Sequence, residues 1–254
     1  MSRFSRSSGL IHVLTSLMVV GCSRPDSDAP NTAGLVGLSE QTALSCQYRR
    51  ITALANGANS SEWYFVRQEN RAESRDAASQ QGEIWERDTQ GRLFLTHLFF
   101  SEKAALEYSP GDLKASGRLP AWEAAWSIID PALLGKELKL VKKATDGNGL
   151  VEEIYRGNLA GNETEIHWLP ALKLPSTVKK QDDAGGKQSL TLVNCWPIEK
   201  ATIQPTTESI LSSYRHIDFS DLGDMETDPL VQKIVALSGG HSHGGSEEHH
   251  HEIH

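Results

Sequence analysis

The sequence predicts a mainly β protein: an antiparallel meander forming a curved sheet or half-open barrel, with one or two helices packed on it and flexible extensions at both ends. Three observations carry that prediction. Short alternating segments recur between residues 62 and 196. Turn-forming Gly, Asn and Asp residues separate nearly all of them. The one long stretch of helical spacing lies between residues 120 and 134.

Taken in order, residues 23–38 (SRPDSDAPNTAGLVGL) have the Ser, Pro, Asp, Ala and Gly content of a tether. Ser39 and Glu40 start a predicted short helix running past Cys46 towards Asn56. Its apolar stripe is weak, and a strand over 48–54 is the alternative. Segments 62–68 and 71–75 flank a Glu-Asn turn, and 83–88 and 92–100 flank Thr89-Gln90-Gly91, a hairpin loop. Within the last of these, Leu93, Leu95, His97 and Phe99 share one face while Phe94, Leu98 and Phe100 share the other. Both faces are therefore expected to be covered, at least locally. A further strand, 104–108, is expected to end at Pro110-Gly111.

Trp122, Ala125, Trp126 and Ile129 recur at helical spacing in 120–134 and give an apolar stripe for packing on the sheet. A ligand box is the alternative reading of that stripe. Asp130-Pro131 then breaks or restarts the helix, with Asp as N-cap. Segments 136–144, 150–158, 163–169, 174–181 and 187–196 continue the hairpins, with Asp146-Gly147-Asn148-Gly149 and Asp183-Ala184-Gly185-Gly186 at two turns. Roughly nine or ten strands result, in one strongly curved sheet or in two.

Composition narrows the function. The chain has 254 residues and a net charge of −8, which disfavours a nucleic-acid partner. No second apolar run approaches membrane-spanning length. The first 21 residues have a positive start at Arg3 and Arg6, an apolar core over 10–20 and a small residue, Gly21, before Cys22. This is the pattern of a cleavable signal rather than of a transmembrane helix. Its removal lowers the basic residues from 25 to 23 against 33 acidic ones, so the charge becomes −10.

The run Val19-Val20-Gly21-Cys22 resembles the lipobox of bacterial lipoproteins. The resemblance implies that Cys22 becomes the acylated first residue of the mature protein. With Ser23 following, it also implies a place on the periplasmic face of the outer membrane. The tether would then hold the domain about 20–25 Å from the lipid. Of the three cysteines only Cys46 and Cys195 remain, in an oxidising compartment. A disulfide between them is expected, two buried free thiols being the alternative.

The stretch Trp168-Leu169-Pro170-Ala171-Leu172-Lys173-Leu174-Pro175, followed by Val178, a Gly-Gly turn and Leu190-Thr191-Leu192, resembles the late hairpin of the LolA/LolB-like superfamily. Those proteins are incompletely closed β-barrels with helices plugging an apolar cavity, and the best known carry lipoproteins across the periplasm. The resemblance implies an apolar cavity here and a lipid or lipoprotein as cargo or partner.

Two later stretches could carry chemistry. Asp218, Asp221, Asp224, Glu226 and Asp228 place five acids in eleven residues around Gly223. Their spacing departs from a calcium loop, and Asp228 before Pro229 reads as the cap of a helix over 229–237. The tail, 239–254, holds six of the ten histidines: His241, His243, His249, His250, His251 and His254. Neutral imidazoles with Glu247, Glu248 and Glu252 beside them suit Zn²⁺, Cu²⁺ or Ni²⁺, and flanking glycines suit capture and hand-over rather than catalysis. His97 and His167 fall in predicted strands and read as core or surface histidines. No nucleophile elbow, phosphate loop or H-E-x-x-H zinc signature is present, so no enzyme and no organic cofactor are expected.

The chain is thus expected to divide into a signal (1–21), a lipid-anchored tether (22–38), a β domain (39–198), an extension with a short helix (199–238) and a metal-binding tail (239–254). The expected function is metal buffering or delivery to an envelope partner. A carrier or docking module with an apolar cavity is the alternative.

Overall fold

The computed structural model describes residues 33–54 and 57–238. The signal, Cys22 and the tail histidines lie outside the described residues. Within them the chain is mainly β, as expected, and forms one open curved sheet of twelve strands. The strands are β1 (Leu44–Leu54), β2 (Gly57–Gln68), β3 (Arg71–Asp76), β4 (Gln81–Arg87), β5 (Leu93–Phe99), β6 (Ala104–Tyr108), β7 (Lys139–Thr145), β8 (Val151–Leu159), β9 (Asn162–Leu169), β10 (Leu174–Gln181), β11 (Lys187–Pro197) and β12 (Arg215–Asp218). Four short helices join them: α1 (Pro110–Ala115), α2 (Trp122–Trp126), α3 (Glu208–Leu211) and α4 (Pro229–Leu237).

The spatial order is β12-β6-β5-β4-β3-β2-β1-β11-β10-β9-β8-β7. Two meanders, β1–β6 and β7–β11, meet where β1 pairs antiparallel with β11, which places the first strand in the middle. The predicted helix from Ser39 is therefore corrected to a strand. Leu44, Cys46 and Tyr48 alternate onto one buried face, opposite Arg67, Phe65 and Trp63 of β2, and period 2 wins over a weak helical stripe. Register breaks at Gln47/Tyr48, at Pro175/Thr177 and at Leu140/Lys142 insert bulges that bend the strands. Pro175 is tolerated at such a bulge, where β10 pairs only with β9.

Cys46 and Cys195 face each other across β1 and β11 with Cα atoms 4.0 Å apart and form a disulfide. Both are buried in the central core with Leu44, Tyr48, Phe65, Leu174 and Leu192. A second core gathers Leu93, Leu95, Phe99, Leu106 and Tyr108 under α1 and α4, and a third gathers Leu138, Ile166, Trp168 and Val178. On the opposite face, Ile84, Leu98 and Ala105 pack against Leu211 and Tyr214. The expectation that both faces are covered near β5 thus holds.

β6 ends before Pro110-Gly111 as expected, and these two residues open α1. Ser109 caps it by accepting from the Asp112 amide at 3.3 Å, while the Asp112 carboxylate accepts from the Ser109 amide at 2.8 Å. The expected 120–134 helix shrinks to the five residues of α2 plus a 3-10 turn at Pro131–Leu133, capped by Asp130. Residues 199–238 are not only an extension, since they contribute β12, which pairs in parallel with β6.

The crossing from β11 to β12 is pinned by Glu73, which is 1% exposed. Its carboxylate accepts from the Thr206 amide at 2.9 Å and from the Thr206 hydroxyl at 2.6 Å. Arg75 at 2.6 Å and Arg71 at 3.1 Å balance its charge. Arg75 also donates to the Gln204 carbonyl. At the far end Asp228 caps α4 as expected, accepting from the Leu230 and Val231 amides.

Candidate functional site

One face of the central strands carries the aromatic residues. Trp63 and Phe65 of β2 stack with centroids 6.1 Å apart, Tyr48 of β1 meets Trp63 edge-on at 5.6 Å, and Ala72 and Trp85 extend the surface across β3 and β4. Segment 121–128 lies over them as a roof. Between roof and sheet is a cavity of about 140 Å³ lined by Trp63, Phe65, Ala72, Trp85, Ala125 and Ile128, with Glu73, Ser74 and Glu83 as its polar members. That volume suits a small apolar group and is too small for a long chain unless the roof moves.

The roof is weakly built. α2 has five residues, no side-chain N-cap bond from Ala121 and no buried residue. Its exit turns through Ile128 at φ 69°. That region is unfavourable for a β-branched side chain and stores of order 1–3 kcal/mol. The buried Ser127 hydroxyl finds no partner. Trp122 and Trp126, whose spacing predicted a core stripe, pack against the central core at partial exposure.

What holds the roof down is Arg67. Period 2 along β2 puts it on the same face as Trp63 and Phe65, and it is 0% exposed. It donates to the Leu172 carbonyl at 2.6 Å and to the Trp126 carbonyl at 3.3 Å, so one guanidinium ties α2 to the β9–β10 turn. It also lies 5.0 Å from the centre of the Trp126 ring. Its Nε has no partner, and burial pulls its pKa down to about 10, against the opposing influence of Tyr48 and Glu40. The guanidinium is still charged at neutral pH. Arg87 stands 4.7 Å from the Trp122 ring and steadies the other end of the roof.

A second cavity, of about 450 Å³, lies on the β6 side of the sheet between Tyr108, Phe219, Leu222, Val231 and Val235. This is within the size range of small-ligand pockets. It is walled by the 3-10 turn at Phe219–Met225 and by α4. Of the acids at 218–228 only Glu226 lines it, while Asp228 is taken up by Arg215 and the start of α4.

The other prominent polar cluster sits on the opposite face. His167 meets Glu152 through Nδ1 at 3.3 Å and Glu165 through Nε2 at 2.9 Å. Ser176 donates to Glu152 at 2.5 Å, and Lys179 and Arg156 both reach Glu165. Hydrogen bonding to Glu152 first, and to Glu165, raises the His167 pKa against the effect of its partial burial. Burial pushes Glu165 up, but His167, Lys179 and Arg156 outweigh it and hold its carboxyl at about 2. The Ser176 hydroxyl is turned to a carboxylate rather than to the imidazole, which is the geometry of an ion-pair network. His97, held by Gln81 at 3.0 Å, is pulled down by burial.

This network gives a pH expectation. His167, and likewise His216 beside Glu107, is a better base in the folded chain. Their contribution is complete below the unfolded value near 6.5 and is lost as pH rises through the folded value. These two groups should therefore lower the urea midpoint over that window, while His97, pulled down by burial, acts in the opposite sense. His167→Gln should remove part of the slope, and adding His216→Gln should remove more. An unchanged slope in both variants would contradict the assignment.

Among the described residues no three His, Cys, Asp or Glu side chains are grouped to hold a metal. The tail ligands proposed from sequence, His241, His243, His249, His250, His251 and His254, lie outside the described residues. So does the acylation site, Cys22. Arg67 and Glu73 were missed by the sequence reading. The signal for Arg67 was available, as a charge sharing the inward face of an alternating strand.

No known protein family matches the chain by sequence, and no curated protein matches it. Solved structures with similar arrangements include PNGF-II, 8% identical over 73% of this chain with a TM-score of 0.41. The match spans 33% of PNGF-II, about a third of its length. The complex of Pseudomonas aeruginosa MucA and MucB matches at 12% identity, 67% of this chain, 56% of that chain and TM-score 0.32. A LolA superfamily protein from Nitrosomonas europaea matches at 9% identity, 67% of this chain, 90% of that chain and TM-score 0.28. Likenesses at this level assign neither ligand nor partner to this chain.

Proposed function

We propose that this protein is an envelope carrier or docking module that takes an apolar ligand, such as an acyl chain, against the aromatic face of its sheet, beneath the α2 roof. The observation that carries the reading is Arg67. A fully buried cation that ties the roof to the β9–β10 turn through two carbonyls, with one nitrogen unpaired, is an expensive way to close a surface that leucine could seal. Such a latch suits a roof that opens. The strained exit at Ile128 and the uncapped five-residue helix lower the cost of opening.

The buried disulfide supports an oxidising compartment, in keeping with an anchored position at the periplasmic face of the outer membrane. No described helix is long and apolar enough to cross a membrane. Anchorage at Cys22 and metal capture by the tail are carried as separate proposals from the sequence. Incorporation of labelled palmitate that is lost in Cys22→Ala would support the first. Calorimetric Zn²⁺ binding lost on deletion of 239–254 would support the second.

The carrier reading is tested by titrating the full-length protein with a long-chain acyl fluorophore. Trp63, Trp85, Trp122 and Trp126 lie around the site and report on it. Saturable quenching of tryptophan emission is expected. Emission that does not change, or that falls without saturating, would refute the proposal.

A further inference from the structure

The two edges of the sheet are treated differently. β12 is a four-residue strand with one buried residue, Ile217, and charged neighbours. β7 is longer, pairs only with β8 and is exposed along nearly its whole length. It also holds two of the most exposed large aliphatic side chains among the described residues, Leu140 at 50% and Val141 at 51%. Around them stand Lys136, Lys139, Lys142 and Lys143. The stretch 136–145 has a single acid, Glu137, so it carries +3 in a chain of −8. Lys143 pairs with Glu153 at 3.0 Å and Lys136 lies 3.9 Å from Glu137. Lys139 and Lys142 point to the same face, opposite Arg156 and Ile154 of β8.

Lysines and a bulge on an edge strand are a common protection against edge-to-edge pairing. That accounts for the lysines and for the register break at Leu140/Lys142, but not for the two aliphatic side chains left in water beside them. Protection alone would be served better by polar residues there. Apolar side chains flanked by lysines on long stems are what a surface needs to rest on anionic headgroups, with the ammonium groups at the phosphates and the aliphatic groups just below. The unpaired backbone groups of the strand would remain at headgroup level, where hydrogen-bonding partners abound.

We propose that the β7 edge is a docking surface for an anionic lipid membrane, recognised through its phosphate headgroups. In a chain of net charge −8, such a basic edge would set the orientation in which the domain meets the bilayer. This does not depend on the apolar ligand site.

The test is hydrogen–deuterium exchange of the full-length chain with vesicles of phosphatidylcholine, and of phosphatidylcholine with phosphatidylglycerol. Exchange reads the strand itself, so a lipid anchor elsewhere does not mask the result. Amides of 139–145 are expected to slow about tenfold with the anionic vesicles only. High salt should abolish the effect, and so should Lys139→Gln with Lys142→Gln, exposed substitutions that leave the fold intact. Equal exchange in both vesicles would overturn the proposal, whether both protect or neither does. Slowing by soluble polyglutamate without vesicles would assign the edge to an acidic polypeptide and overturn the membrane assignment.

Discussion

Replacing Glu73 with alanine is expected to destabilise the fold by about 3–5 kcal/mol, the cost of breaking a buried ion pair from one side. The substitution leaves Arg71 and Arg75 partly buried without their carboxylate and strips the Thr206 amide and hydroxyl of their acceptor. The damage should spread along the chain. Thr206 and Gln204 are the points at which the crossing segment is tied to β3, and β12 follows from it. Urea unfolding gives the magnitude, and hydrogen exchange over 204–218 shows the release. Glu73→Gln keeps an acceptor and should fall between the two. A loss below about 1 kcal/mol for alanine would mean that the segment is held by other contacts.

Loss of the disulfide should cost a comparable amount. Cys46 and Cys195 are separated by 149 residues in sequence, and closing a loop of that length stabilises by about 4–5 kcal/mol in the chain-entropy account. Their bond joins the two meanders at the β1–β11 pairing, the one seam between them among the described residues. Cys46→Ala with Cys195→Ala should lower the urea midpoint strongly, and wild type under reducing conditions should approach the variant. A midpoint unchanged in both would show that the packing of Leu44, Tyr48 and Leu192 suffices.

The hairpins were legible because their causes are local. Asp88 accepts from the Gln90 and Arg92 amides around Gly91 at φ 80°, and Asp182 accepts from Gly186 around Gly185 at φ 85°, so the turns are written in a few consecutive residues. The α4 cap at Asp228 was readable for the same reason. β1 was legible only as the alternative strand over 48–54, because one of its two partners, β11, lies at the other end of the chain and nothing near Ser39 reports that pairing. β12 is too short to show a period and sits among acids that read as loop. The long helix failed because Ile128, two residues after Trp126, turns into the left-handed region, which a β-branched residue does not adopt by its own preference.

The candidate site was half legible. The spacing of Trp122 and Trp126 reads as a core stripe or as a ligand box. Seeing that they roof Trp63, Phe65 and Trp85 required the sheet. Arg67 counts as a latch only once the Leu172 and Trp126 carbonyls are in place, and those residues lie 105 and 59 positions away.

The most direct measurement compares the affinity of a long-chain acyl fluorophore for wild type and for Arg67→Met, with near-ultraviolet dichroism confirming that both are folded. Methionine fills similar space but cannot hold the roof. If the roof must lift before the ligand enters, apparent affinity is scaled by the open fraction. Losing a charged hydrogen bond to the roof should then tighten binding about tenfold. Weaker or unchanged binding in the folded variant would contradict a latched roof over an apolar site.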